Sequence, residues 1–174
     1  KNLGLEIKQS NLCSEITLPT NEERTAVCCL SSVNLEHFDD WSKDNNFIED
    51  LITMLDNVIE HYIENAIDTS QLGGYSANFK RFTKYIKEDK EGYAKSSYSA
   101  YRERSLGLGA MGFHAYLQSK NIPFEGLFAT SFNHQAFKHI KNKANQASKK
   151  LADIRGECPD LHGNGKRNAN LLAV

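Results

Sequence analysis

Apolar residues recur at three- and four-residue intervals over two long stretches of this chain. Phe47, Ile48, Leu51, Ile52, Leu55, Val58, Ile59, Tyr62, Ile63 and Ala66 form the first stripe. It predicts an amphipathic helix that ends near Ala66. Asp44, Asn45 and Asn46 stand just before it as N-cap candidates. The second stripe is Phe128, Phe132, Ala136, Phe137, Ile140, Ala144, Ala147, Leu151 and Ile154. It predicts a long helix over 126–154, with Gly156 placed as a C′ glycine. Residues 25–35 are different. They are short, apolar, contain β-branched residues and lie between polar turns, which reads as a buried strand. Residues 104–108 suit a short strand, and 110–120 a helix that Asn121, Ile122 and Pro123 bring to an end. In 68–98 the aliphatic residues thin out, and Lys, Tyr and Gly73-Gly74 take over. Ser76 is placed to cap a short helix carrying Phe79, Phe82 and Ile86, so this region reads as a surface insertion. The chain closes on Leu171, Leu172, Ala173 and Val174, an apolar run that reads as a last strand cut short.

One stretch has the period of a strand and an unusual choice of side chains. In Gln9-Ser10-Asn11-Leu12-Cys13-Ser14-Glu15-Ile16-Thr17-Leu18-Pro19-Thr20, an amide, a thiol and a carboxylate sit at alternate positions. If the stretch is extended, Asn11, Cys13 and Glu15 share one face, and Leu12 and Ile16 point the other way. Two readings stay open at this level: an edge strand with polar residues outward, or three reactive groups converging on one small volume. Pro19 ends the stretch, and Asn21, Glu22, Glu23 and Arg24 make a charged turn into 25–35. Two strands joined this way lie close together. Either Cys28 or Cys29, but not both, then faces the side of Cys13.

Composition narrows the classes. The 174 residues are 40% hydrophobic and 25% charged, with a formal net charge of -1. This suits one globular domain with a core and gives no electrostatic reason to expect nucleic acid or an anionic membrane. No apolar run approaches the roughly 20 residues that span a bilayer. Four cysteines, Cys13, Cys28, Cys29 and Cys158, are too few for a disulfide scaffold, and a reducing, cytoplasmic setting is the expectation.

Other candidate sites weigh little. Gly107-x-Gly109-x-x-Gly112 matches a dinucleotide-binding pattern, but only four residues precede it as a strand and 122–125 makes a poor second strand. Small residues packing a helix on a strand explain it as well. Gly163-Asn164-Gly165-Lys166 lacks the first glycine of a phosphate loop, and Arg167 stands where Ser or Thr belongs. The six histidines are isolated or off a common helical face, and no metal site is expected. The nearest histidine in sequence to Cys13 is His37, so a thiolate activated by a neighbouring imidazole has no local support. Chemistry on the sulfur itself, with Glu15 as a base, fits better.

These residues resemble a family. Asn11-Leu12-Cys13-Ser14-Glu15-Ile16, followed by Ala26-Val27-Cys28-Cys29-Leu30-Ser31-Ser32-Val33-Asn34-Leu35, is similar to the large, catalytic subunit of ribonucleotide reductase. The 104–112 and 170–174 segments are similar to later parts of the same subunit in the same order. The resemblance covers most of the chain, least in 68–98, and is closest to the aerobic class I type of bacteria and phage. It implies a helix-rich α/β fold: a fragment of a ten-stranded α/β barrel, with a finger loop carrying Cys13 at its tip. The whole chain, 1–174, is then one partial catalytic barrel domain.

The resemblance also implies roles. Cys13 becomes a transient thiyl radical that takes the ribose 3′ hydrogen. Glu15 is the general base on the 3′ hydroxyl, and Asn11 hydrogen-bonds the substrate and Glu15. Ser10, Asn11, Cys13 and Glu15 contact the substrate, a ribonucleoside diphosphate. Cys28 matches the reducing cysteine, and Cys29 is packing. The chain itself is expected to bind no cofactor. The radical comes from a metal centre in a small β subunit, and thioredoxin or glutaredoxin restores the thiols. ATP and dNTP effectors and a homodimer belong to the whole large subunit. The second reducing cysteine, the diphosphate loop and the radical-relaying tyrosines lie in segments this chain lacks, so it is expected to be a middle piece that is inactive alone. A non-catalytic or decayed α/β domain that keeps the motif as packing is the alternative.

Overall fold

The computed structural model describes residues 4–10, 16–72, 78–86 and 93–172. The later part of the apolar run 25–35 forms β1, Cys29–Asn34. Four helices then separate it from its partner: α1, Phe38–Trp41; α2, Phe47–Ala66; α3, Phe79–Thr83; and α4, Tyr93–Glu103. The partner is β2, Leu106–Met111, parallel to β1 from Cys29↔Leu106 to Asn34↔Met111. Parallel neighbours need a crossover of this kind, and helices packed on the sheet let β2 read as a nearly continuous apolar run. Two more helices follow, α5, Phe113–Ser119, and α6, Leu127–Arg155. The terminal apolar run then returns to the far side of β2. Leu172 forms a parallel bridge with Leu108, and the Leu106 and Leu108 N–H groups donate to Asn170 and Leu171 carbonyls at 3.0 Å each. β2 is therefore central, and the sheet is open rather than closed.

The two predicted helices carry the core between them. In α2, Ile48, Ile52, Leu55, Ile59, Ile63 and Ala66 are buried in the expected stripe. Each fully buried isoleucine contributes about 1.5–3 kcal/mol over an exposed one. In α6, Ala129, Ala136, Ala144 and Ala147 alternate with Phe132, Ile140 and Leu151, and the small residues let α2 approach closely. Three residues of the predicted stripes face outward: Val58 at 51%, Phe128 at 77% and Ile154 at 69% exposure. Each lies at the margin of its stripe, where periodicity alone does not show how far the neighbouring helix reaches.

The surface-insertion reading of 68–98 does not hold for its described residues. Leu72, Phe82, Ser97 and Tyr98 are buried, and an Ile67–Ile86 bridge ties the segment to the end of α2. α4, which starts within it and runs on to Glu103, buries Ser97, Tyr98, Ser99, Ala100 and Glu103, a face with no aliphatic stripe to reveal it in the sequence. Asn78 caps α3, accepting the Arg81 N–H at 2.9 Å, and Ser76 lies outside the described residues.

The glycine pattern also resolves. Gly107 and Gly109 lie inside β2, not in a phosphate-binding turn. The strand extends to Met111, past the predicted 104–108, and α5 starts at Phe113, three residues after the predicted start. Between them Gly112 adopts φ +75°. A Cβ there would stand 2.1 Å from Asn34 Oδ1, the atom that accepts the Glu36 N–H and caps the turn after β1. That turn needs glycine both for its conformation and for room.

Candidate active site

The motif Asn11–Glu15 lies outside the described residues, but its two arms do not. Ser10 and Thr17 form an antiparallel bridge. One extended strand would set them about 23 Å apart, whereas bridged residues lie about 5 Å apart. The expectation of a single strand through 10–17 is thus replaced by two arms side by side. Ile16, on the second arm, is buried.

Beside these arms is a cleft of about 390 Å³, lined by Ser10, Ile16, Leu18, Ala26, Cys28 and Leu30 among others. Ala26, Cys28 and Leu30 are alternate residues, so one face of the strand and its approach looks into the cleft. Val27, Cys29 and Val33 belong to the opposite face and pack on the core. The alternation left open which cysteine faces the motif, and the structure puts Cys28 in the cleft with Ser10 and Ile16, the described residues on either side of it. Burial pushes the Cys29 thiol up from its usual value, which suits an inert packing thiol. Cys158 is fully buried, and burial pushes its thiol up to about 12. At Cys28 the Ser105 hydroxyl donates to Sγ at 3.5 Å, while Sγ lies 3.8 Å from the Cys29 carbonyl oxygen.

A second cleft, of about 290 Å³, lies against the second arm and is lined by Thr17, Leu18, Pro19, Glu103, Asp160 and Asn170 among others. Its charged wall is a buried cluster. Arg24 donates to Glu103 Oε1 at 3.0 Å and to Asp160 at 2.6 and 3.2 Å. Arg102 reaches Asp160 at 2.6 Å, and both guanidinium groups lie over the Tyr98 ring. Arg24, the last residue of the charged turn, is thereby clamped to the end of α4 and to the 159–161 turn. Asp160 takes most of the donors, and Glu103 Oε2 is buried with no hydrogen-bond partner. Burial, against the pull of Arg24 and with repulsion from Asp160, raises the Glu103 carboxyl to about 7. Because the folded chain holds this proton more tightly than the unfolded one, the contribution of Glu103 to stability is fully present below about pH 4.5. It falls as pH rises through about 7, by on the order of 3 kcal/mol. Glu103→Gln, which mimics the protonated acid, is expected to flatten that slope in urea unfolding between pH 5 and 8. An unchanged slope contradicts the assignment.

Comparison with known proteins decides what this arrangement belongs to. The family model for the ribonucleotide reductase barrel domain matches residues 2–171. This chain belongs to the ribonucleotide reductase family. It is similar to the ribonucleoside-diphosphate reductase large subunit of Invertebrate iridescent virus 3, at 41% identity over all of this chain and 24% of that protein. It is 33% identical to the ribonucleoside-diphosphate reductase subunit alpha of Chlamydia muridarum over 97% of this chain and 14% of that one. Among solved structures, the Actinobacillus ureae class Id ribonucleotide reductase alpha subunit superposes with a TM-score of 0.81 at 34% identity, over 98% of this chain and 29% of that one. The chain thus spans less than a third of the length of these relatives, and its open sheet is that of a barrel fragment. No helix among the described residues is long and apolar enough to cross a membrane.

In this ribonucleotide reductase segment the loop after α6 is fixed by a second buried network. Asp56, fully buried in the stripe of α2, accepts from Arg167 at 2.7 and 3.0 Å, from Arg155 at 2.7 Å and from Asn168 at 3.1 Å. Burial alone works against its charge, but Arg167, Arg104 and Arg155 outweigh this and hold its carboxyl below the usual range. Arg167 also reaches Glu60 at 2.6 Å and the carbonyls of Arg155 and Gly156 at 3.0 Å each. The glycines set aside as a phosphate loop wrap a carboxylate of the chain itself: Gly163 and Gly165 N–H groups both donate to Glu157. None of Arg24, Asp56, Glu103, Ser105 or Arg167 was legible as functional. The only hint was the charged run Arg102-Glu103-Arg104 just ahead of β2. Among the candidates, Ser10 and Cys28 line one cleft, whereas Asn11, Cys13 and Glu15 lie outside the described residues.

Proposed function

We propose that this chain supplies the catalytic barrel segment of a ribonucleoside-diphosphate reductase large subunit, which reduces ribonucleoside diphosphates to deoxyribonucleotides. The observation that carries this reading is the placement of Cys28 in the same cleft as Ser10 and Ile16, the residues flanking Asn11–Glu15. A thiol on the approach to β1 then shares one cleft with the two arms of the motif. In this reading a Cys13 thiyl radical takes the 3′ hydrogen and returns a hydrogen at the end. Glu15 removes the 3′ hydroxyl proton, a positioned transfer worth about 10²–10⁴-fold. Asn11 and Ser10 hold the ribose, as proximity effects require. The 2′ hydroxyl leaves as water while two thiols, Cys28 and one from another segment, become a disulfide and supply the two electrons and two protons. A metal centre in a small partner subunit supplies the oxidising equivalent that makes the radical, and thioredoxin or glutaredoxin reduces the disulfide. ATP and dNTP effectors and dimerisation belong to the complete large subunit.

The test is reconstitution of this chain with the remaining large-subunit segments, a small radical-generating subunit and a dithiol. Deoxyribonucleoside diphosphate is the expected product, formed more slowly from substrate deuterated at the 3′ carbon. No product from an otherwise competent assembly favours the decayed-domain reading instead.

A further inference from the structure

Ser105 stands one residue ahead of β2 and is fully buried. Two of its groups hold the adjacent residues Cys28 and Cys29. Its carbonyl accepts the Cys29 N–H at 3.2 Å, and its hydroxyl donates to Cys28 Sγ at 3.5 Å. The parallel register that pairs Cys29 with Leu106 fixes this geometry, so the hydroxyl is delivered by the sheet and not by a loop. A buried hydroxyl needs a partner for its proton. A neutral thiol is a weak acceptor, but a thiolate is a strong one, so this bond strengthens when the sulfur loses its proton. The Cys29 carbonyl, 3.8 Å from the same sulfur, is a place for the S–H proton in the neutral form. The sulfur therefore has a donor on one side and an acceptor on the other, both held by backbone that pairs across β1 and β2.

We propose that Ser105 is the positioning residue of Cys28: its hydroxyl holds the sulfur on the cleft face and favours the thiolate needed for thiol–disulfide exchange. The inference rests on the reading of Cys28 as a reducing thiol. It adds a residue 77 positions away that reaches Cys28 through its hydroxyl. Its effect is therefore read in how readily Cys28 reacts.

The test is the rate at which iodoacetamide labels Cys28, read by peptide mapping, in this chain and in the reconstituted assembly. Losing one hydrogen bond to a charged group changes the thiolate fraction by about tenfold. A more basic thiolate is also a better nucleophile, with a Brønsted coefficient of about 0.4–0.5, so the net slowing is about three- to fourfold. Ser105→Ala and Ser105→Gly are both expected to show it, and Ser105→Thr, which keeps the hydroxyl, is expected to restore the rate. Cys158 reports the fold in the same sample, because a buried thiol stays unlabelled while the core is intact. Wild-type rates in the Ala and Gly variants overturn the proposal. So does a Thr variant as slow as the Ala variant with Cys158 still protected, since packing and not the hydroxyl is then responsible. Labelling needs no turnover, so it is separable from the functional reading. Normal reduction by a Cys28→Ser assembly removes the role of Cys28 while leaving a Ser105-dependent labelling rate in place.

Discussion

Asp56→Ala is expected to destabilise this segment by about 3–5 kcal/mol, because it strips the shared partner from several buried or half-buried cations. The energy comes less from the lost attraction than from what remains. Arg167 is almost fully buried and is held by two Asp56 oxygens. Without them its guanidinium keeps only Glu60 and two carbonyls. A loss of this size approaches the whole stability of many domains, so the variant is expected to be largely unfolded or to melt far below the parent. Urea unfolding followed by circular dichroism measures it. The exposed Lys150–Glu49 pair is the internal control, since Lys150→Ala is expected to change stability by less than about 1 kcal/mol. A similarly small effect at Asp56 sinks the argument. The pH behaviour has the opposite sign to that of Glu103. The folded-state carboxyl of Asp56 is depressed, so its contribution is present above the ordinary aspartate range and is lost as pH falls through the lowered value. The two acids therefore pull stability in opposite directions across the acid range.

The second large effect is on turnover. Cys28→Ser is expected to reduce dithiol-driven deoxynucleotide formation in the reconstituted assembly to background, because an alcohol cannot form the disulfide that delivers two electrons. Cys29→Ser is expected to keep turnover and to cost about 1 kcal/mol of stability, the typical size for a partly buried substitution. The contrast follows from the period of two along the strand: Cys28 shares the cleft with Ala26 and Leu30, while Cys29 packs with Val27 and Val33 on the core. Single-turnover product analysis of the two variants side by side checks it. Equal activity would falsify the assignment of the two faces.

Much of the scaffold was legible before the structure. The bounds of α2 match the apolar stripe from Phe47 to Ala66, because a 3.6-residue period is a local property of the chain. α6 matches to within a residue or so for the same reason, with Gly156 at its end in a left-handed conformation. The Asn11–Glu15 motif and its downstream cysteines carried the family resemblance. α4 was missed because its buried face is built of Ser, Ala and Tyr, which have no apolar rhythm. The glycine pattern was ambiguous because the same spacing serves a phosphate turn and a tightly packed strand.

By itself, then, the sequence determined whatever a short window can hold: two long helices, a buried strand, the family motif, and the rule that only one of two adjacent cysteines faces the site. The tertiary structure decided that Cys28 lines the cleft beside Ser10 and Ile16 while Cys29 packs on the core, because facing depends on what packs against the other side. It also decided that the arms of the motif stand side by side, and that Ser105 lies against Cys28. It made Asp56 and Glu103, two carboxyls in helical faces, the centres of buried networks with opposite shifts. Their hydrogen-bond partners lie 79 to 112 positions away in sequence. Only the folded chain brings such groups within 3 Å in a place where water no longer screens them.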